Sequence, residues 1–105
     1  MVNQVTVAEF DEIIKNSSVP VVCDFFATWC GPCKMLAPVM EQVSDEMDGK
    51  AIFLKVDVDD NMELAGRYSI MSIPLLLVFK GGEVVDKSLG FMSKSEVSAF
   101  VQKNL

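Results

Sequence analysis

The chain reads as an α/β protein: a mixed central sheet flanked by helices on both faces. Three observations predict this class. Apolar runs of strand character alternate with stretches of helical spacing through the early part of the chain. A glycine pair then joins two strand-like runs into a hairpin. A final helical stripe closes the sequence. Early alternation calls for parallel strands joined by helical crossovers, and the hairpin adds antiparallel pairing. With 105 residues, the chain has room for one domain, 1–105, and not for two.

A short strand is expected ahead of Thr6. Thr6 and Glu9 then form a capping-box pattern, and Phe10, Ile13 and Ile14 give a helical stripe that stops at Asn16-Ser17-Ser18. Val19 to Ala27 is a nearly continuous apolar run with β-branched and aromatic residues, the pattern of a strand covered on both faces. A second helix is predicted to start around Cys30 to Pro32, with Leu36, Val39, Met40, Val43 and Met47 on one face and a stop at Gly49. Pro38 lies inside it and should kink it, because Pro38 has no N–H to donate to the Lys34 carbonyl. Ile52, Leu54, Val56 and Val58 alternate with Phe53, Lys55 and Asp57, which is strand-like. Asp60 to Arg67 is a short helix candidate. Leu75 to Phe79 and Val84 to Leu89 are strands joined at Gly81-Gly82. Ser93 with Glu96 forms another capping box, followed by the apolar positions Val97, Phe100 and Val101.

Composition narrows the function. Half of the residues are hydrophobic and 23% are charged, which is globular rather than disordered. A chain of this size buries roughly 60–70% of its unfolded surface, so an ordinary core suffices without staples. The net charge of −6 repels phosphates and argues against nucleic acid and anionic membrane as partners. There is no histidine, hence neither the commonest metal ligand nor the commonest general base. The longest apolar run, Ile73 to Phe79, is far below the ~18 residues of a membrane span. Met1 to Gln4 lack the basic and apolar regions of a signal peptide. The expectation is a cytoplasmic, reduced protein, with a monomer as the default.

The three cysteines are too few and too unevenly placed for a disulfide scaffold. Cys30 and Cys33, spaced Cys-x-x-Cys, suggest catalysis or metal binding. Zinc normally needs four nitrogen or sulfur ligands; this chain would have to add a carboxylate or a second chain. The pair falls between a buried strand and a helix start, where free backbone N–H groups favour negative charge. Cys30 at that start should carry a lowered pKa. A fall from about 8.5 to about 7 raises its thiolate fraction at neutral pH from a few per cent to about half. Cys33, one turn further in, can reach the Cys30 sulfur but is expected to be less exposed. Cys30 is thus the candidate attacker and Cys33 the resolver. Pro32 suits the first helical turn.

Asp24 interrupts an apolar run, so its carboxyl is expected to be desolvated and its pKa raised. It reads as the proton acceptor and donor for Cys33, against the alternative of a carboxylate at a sheet end, solvated or paired with Lys55. Cys23, mid-strand in apolar company, reads as a packed small hydrophobe. Asp57, Asp59 and Asn61 open like a calcium loop, but Met62 and Tyr68 stand where that loop needs Gly and Glu. These acids are expected to be a solvated strand end and a helix cap.

Trp29-Cys30-Gly31-Pro32-Cys33-Lys34 resembles the thioredoxin family, and the resemblance covers essentially all 105 residues. Asp24-Phe25, Pro38, Lys55-Val56-Asp57, Ile73-Pro74, Phe79-Lys80-Gly81-Gly82 and Gly90 all fall where that family has counterparts. The resemblance implies the thioredoxin fold, with a cis Ile73-Pro74 bond facing the cysteines and the Ile73 backbone beside Cys30. It implies a docking surface of Trp29, Gly31, Pro32, Ile73, Pro74 and Gly90, with Lys55 supporting Asp24. The implied activity is that of a general protein disulfide reductase. Its partners would be disulfide-containing proteins and a thioredoxin reductase, NADPH- or ferredoxin-linked. No cofactor would be bound beyond the redox-active Cys30–Cys33 disulfide. Phe26 stands where many members have Trp, Leu75 where Thr is common, and Ser69-Ile70-Met71-Ser72 replaces a more glycine- or charge-bearing approach. Of these, Met71 lies near the docking face and bears on partner choice. Two rival functions are an oxidase or isomerase on the same fold, against which the Gly31-Pro32 dipeptide argues, and a binding module in which the cysteines are incidental.

Overall fold

Strands and helices alternate until two consecutive strands and a last helix close the chain. The computed structural model describes residues 1–105. The elements are β1 (Val2–Gln4), α1 (Val7–Asn16), β2 (Val21–Phe26), α2 (Gly31–Glu46), β3 (Ile52–Asp57), α3 (Met62–Arg67), β4 (Leu75–Lys80), β5 (Glu83–Leu89) and α4 (Lys94–Gln102). The sheet order is β1-β3-β2-β4-β5. β1 and β2 both pair parallel with β3, whereas β4 runs antiparallel to β2 and β5 antiparallel to β4. The sheet is therefore mixed, as the early alternation and late hairpin predict.

Local chemistry starts the helices. Thr6 and Ser93 each accept from the N3 backbone N–H while Glu9 and Glu96 reach back, so both capping boxes form. The same contacts hold the Glu9 and Glu96 carboxyls below their usual range. α2 runs unbroken past Pro38 but stops at Glu46, before the predicted Gly49. Gly49 instead takes a positive φ of 81° in the following turn. Gly81 and Gly82 both have positive φ, as a two-residue turn matched to the strand twist requires.

Two apolar layers sandwich the sheet. On one face, Leu36, Met40 and Val43 of α2 and Val97, Phe100 and Val101 of α4 pack on Val22, Phe53, Leu76 and Val78. On the other, Phe10 and Ile14 of α1 and Leu64 of α3 pack on Val21, Cys23, Phe25, Leu54, Val56, Leu77 and Phe79. Rings of Phe10 and Phe79 meet edge to face at 5.4 Å, and Tyr68 joins both. β2 is covered on both faces, as its apolar run predicts. β3 is too: Phe53 faces one layer while Leu54 and Val56 face the other. Asp57, expected to be a solvated strand end, is buried; its Oδ1 accepts the Asp59 N–H at 2.9 Å, which offsets the lost water, and its backbone carbonyl accepts from Asn61 Nδ2 at 3.0 Å. Asn61 gives α3 no side-chain cap.

Candidate functional site

The C-terminal end of β2 delivers the chain into a tight turn. Cys30 N–H donates to the Ala27 carbonyl at 3.2 Å, and Lys34 N–H to the Cys30 carbonyl at 3.1 Å. Cys30 is the N-cap of α2, with Pro32 in the first turn. Its Sγ, in place of the usual N-cap oxygen, accepts the Cys33 N–H at 3.3 Å. Cys30 and Cys33 are joined as a disulfide, with Cα atoms 5.2 Å apart. Both are buried, at 5% and 3% exposure, so exposure in this oxidised state separates them little. Position separates them: Cys30 caps the helix, and Cys33 lines a half-open cleft behind it.

The antiparallel pairing of β4 with β2 brings the second half of the site alongside. Leu75 sits opposite Phe25, so Ile73 and Pro74 extend past the end of β2 to the turn. The Ile73-Pro74 bond is cis, and the Ile73 carbonyl oxygen lies 3.9 Å from Cys30 Sγ. Ile73 packs with Phe26 and Val58 around Ala27 and the two cysteines. Gly90, at φ 95°, donates its N–H to the Pro74 carbonyl at 2.8 Å. Gly31 and Pro32 are exposed, and Trp29 is 68% exposed. Trp29 Nε1–H donates to Asp59 Oδ2 at 2.8 Å. Met71, 91% exposed, stands on the segment leading to Ile73.

Beneath the cysteines, Asp24 and Cys33 line a cavity of about 450 Å³, with Lys34, Glu41 and Lys55 among its other walls. Asp24 is 3% exposed and its Oδ1 has no hydrogen-bond partner. Burial raises its pKa from 3.8 to about 7, with the Lys55 charge opposing. Lys55 is the register neighbour of Asp24 on β3, yet it forms no ion pair with it; its Nζ stands 5.9 Å from the Phe26 ring centre. The alternative of a carboxylate solvated at a sheet end or paired with Lys55 does not describe this site. Cys23, on the opposite face of β2, is a free buried thiol, and burial followed by the Asp24 charge pushes its pKa up.

The structure thus brings Cys30, Cys33, Asp24, Lys55, Ile73, Pro74 and Gly90 together at one end of the sheet, with Trp29, Gly31 and Pro32 beside them. Sequence reasoning missed the roles of Asp59 and Glu41. Asp59 lies 30 positions from the Trp29 it holds. Glu41 Oε1 accepts the Val2 N–H at 2.9 Å, 39 positions away. Nothing local marks either contact.

A dithiol at a helix start, beside an open backbone carbonyl and over a buried carboxyl of near-neutral pKa, can exchange disulfides with a second chain. The comparisons with known proteins agree. The sequence model of the family described as Thioredoxin matches residues 1–103. Similar proteins include the thioredoxin of Staphylococcus epidermidis (strain ATCC 12228), 52% identical over 102 residues, or 97% of this chain and 96% of that one. The thioredoxin of Staphylococcus saprophyticus is 51% identical and that of Staphylococcus aureus (strain Mu50) 50% identical, each over the same shares.

Proposed function

Because the chain belongs to the thioredoxin family of disulfide oxidoreductases, we propose that it is a general protein disulfide reductase in which Cys30 attacks and Cys33 resolves. The observation that carries this reading is the Cys30 sulfur accepting the Cys33 N–H as the N-cap of α2. An N-cap acceptor is favoured by negative charge, so the thiolate of Cys30 is the stabilised form. It attacks one sulfur of a substrate disulfide, and the other substrate sulfur departs as a thiolate. The Cys33 thiol gives its proton to the Asp24 carboxylate and attacks Cys30 Sγ. The second substrate sulfur leaves and takes a proton from Asp24. The first substrate thiolate takes its proton from water, so the substrate ends as a dithiol and Cys30–Cys33 as the disulfide.

The substrate segment docks as an extended strand along the Ile73 backbone. Trp29, Gly31, Pro32, Pro74 and Gly90 form the rest of the contact surface. Lys55 tempers the desolvation of Asp24. The electrons reside in the cysteine pair itself, with no bound cofactor. A thioredoxin reductase, NADPH- or ferredoxin-linked, restores the dithiol. No helix is long and apolar enough to cross a membrane, and we place the protein in the cytoplasm as a monomer of one domain, 1–105. The Gly31-Pro32 dipeptide supports the reducing direction, because no histidine stands there to favour oxidation.

The test is a pair of variants with a disulfide-bearing protein substrate. Cys30→Ser should abolish turnover, whereas Cys33→Ser should accumulate a covalent mixed disulfide through Cys30, seen by mass spectrometry. Free release of reduced substrate from Cys33→Ser would remove Cys33 as resolver. A reduction potential close to that of strongly reducing couples would fix the direction, and a markedly less negative one would reverse it.

A further inference from the structure

We infer that Glu41 is a positioning residue for Asp24, clamping strand β1 against α2 so that Val2 closes one side of the cleft in whose floor the Asp24 carboxyl is buried. The inference rests on the acid–base reading of Asp24 and adds a residue that the resemblance does not name. Glu41 Oε1 accepts the Val2 N–H at 2.9 Å, in a partly buried contact. Val2 and Glu41 line the same cavity of about 450 Å³ as Asp24 and Cys33. Val2 is itself buried, although β1 is an edge strand of only three residues. So short an edge strand has few ladder bonds to hold it, and a charge-assisted bond to a helix is the stronger tie.

The burial of Asp24 depends on that wall. Its Oδ1 is inaccessible and unpartnered, so water admitted past Val2 would hydrate the carboxylate and favour ionisation. The other groups around Asp24 are few. β3 offers Lys55; α2 offers Cys33, Lys34 and Glu41; Cys23, its neighbour on β2, points to the other face; β4 presents the uncharged Leu76 opposite. Lys34 and Lys55 favour the ionised form and Glu41 opposes it, so two routes from Glu41 to Asp24 exist: its charge, and the wall it holds.

The two routes separate by substitution. Glu41→Gln keeps an oxygen to accept the Val2 N–H and removes the charge, while Glu41→Ala removes both. Asp24 is followed by the carboxyl carbon signal in NMR titrations of the oxidised protein, where Cys30 and Cys33 do not titrate. If the wall matters, Glu41→Ala lowers the Asp24 midpoint by about one pH unit and Glu41→Gln lowers it distinctly less. Val2→Ala, which thins the wall directly, should lower it as well. An unmoved midpoint in both Glu41→Ala and Val2→Ala overturns the inference. Equal lowering in Glu41→Ala and Glu41→Gln also overturns it, assigning the effect to charge. The acid–base reading is tested separately by the rate of mixed-disulfide resolution in Asp24→Asn, so either idea can fail alone.

Discussion

Replacing Asp24 by Asn should make the oxidised protein more stable at neutral pH, by an amount that the burial of the carboxyl sets. The pKa of Asp24 rises from 3.8 to about 7 because the charged form is desolvated. Below pH 3.8 both folded and unfolded chains carry the proton, and Asp24 costs the fold nothing through ionisation. Between 3.8 and about 7 the unfolded chain has released the proton and the folded chain has kept it. Stability therefore falls as pH rises, by about 1.4 kcal/mol per pH unit. The interval is about three pH units, so above pH 7 the folded state carries a full penalty of about 4 kcal/mol. Asn has a similar shape and no charge to desolvate. Whatever its amide costs in that cavity is independent of pH and cancels from the slope. The assay is urea unfolding of oxidised wild type and Asp24→Asn at intervals from pH 4 to pH 9. The gain of the variant over wild type should climb through that window and level off above about pH 7. A difference that stays flat with pH would show that Asp24 is already ionised, and therefore hydrated or paired, in the folded protein.

Other expectations follow from single contacts. In the oxidised protein Cys23 is the one free thiol, so alkylation at pH 8 should label no cysteine in the native state and one in urea; native labelling would mean that β2 opens. Phe10→Ala empties a fully buried ring site between Tyr68 and Phe79 and should cost about 3–5 kcal/mol in denaturant unfolding, whereas a cost below 1 kcal/mol would mean that the cluster collapses around the loss. Trp29→Phe keeps a ring but loses the Nε1–H bond to Asp59. At about 1 kcal/mol, that should raise KM for a protein disulfide about fivefold and leave the rate with a small aromatic disulfide unchanged. Equal loss with both substrates would remove Trp29 from docking.

What could be read from the sequence was what short-range chemistry dictates. Both capping boxes, the Gly81-Gly82 turn and the doubly buried β2 depend on neighbours within a few positions, and all appear as read. Asp24 was legible for a related reason: a carboxylate amid Val22, Cys23, Phe25 and Phe26 has no apolar excuse, whatever packs against it. The position of Ile73-Pro74 beside Cys30 came only through resemblance. No local rule brings together residues 43 positions apart. The burial of Asp57 went unseen because its carboxylate is satisfied by a backbone N–H, that of Asp59, which every sequence offers. Trp29 with Asp59 and Val2 with Glu41 were invisible for the same reason as Ile73: each pair is made by the sheet and not by the segment.

The alternation along β2 has one more consequence. Cys23 and Phe25 face the α1 and α3 side, while Asp24 shares its face with Val22 beneath α2. Successive side chains of a strand point to opposite faces, so a shift of one position exchanges the two sets. Such a slip would thrust the carboxyl among aromatic rings and leave a thiol or a phenyl group under Cys33. The greasy residues of β2 and β3 thus act as an address label, since their fit is what sets Asp24, and not a neighbour, beneath the two sulfurs. A lesion that loosens this alignment would take the carboxyl away from the cysteine pair.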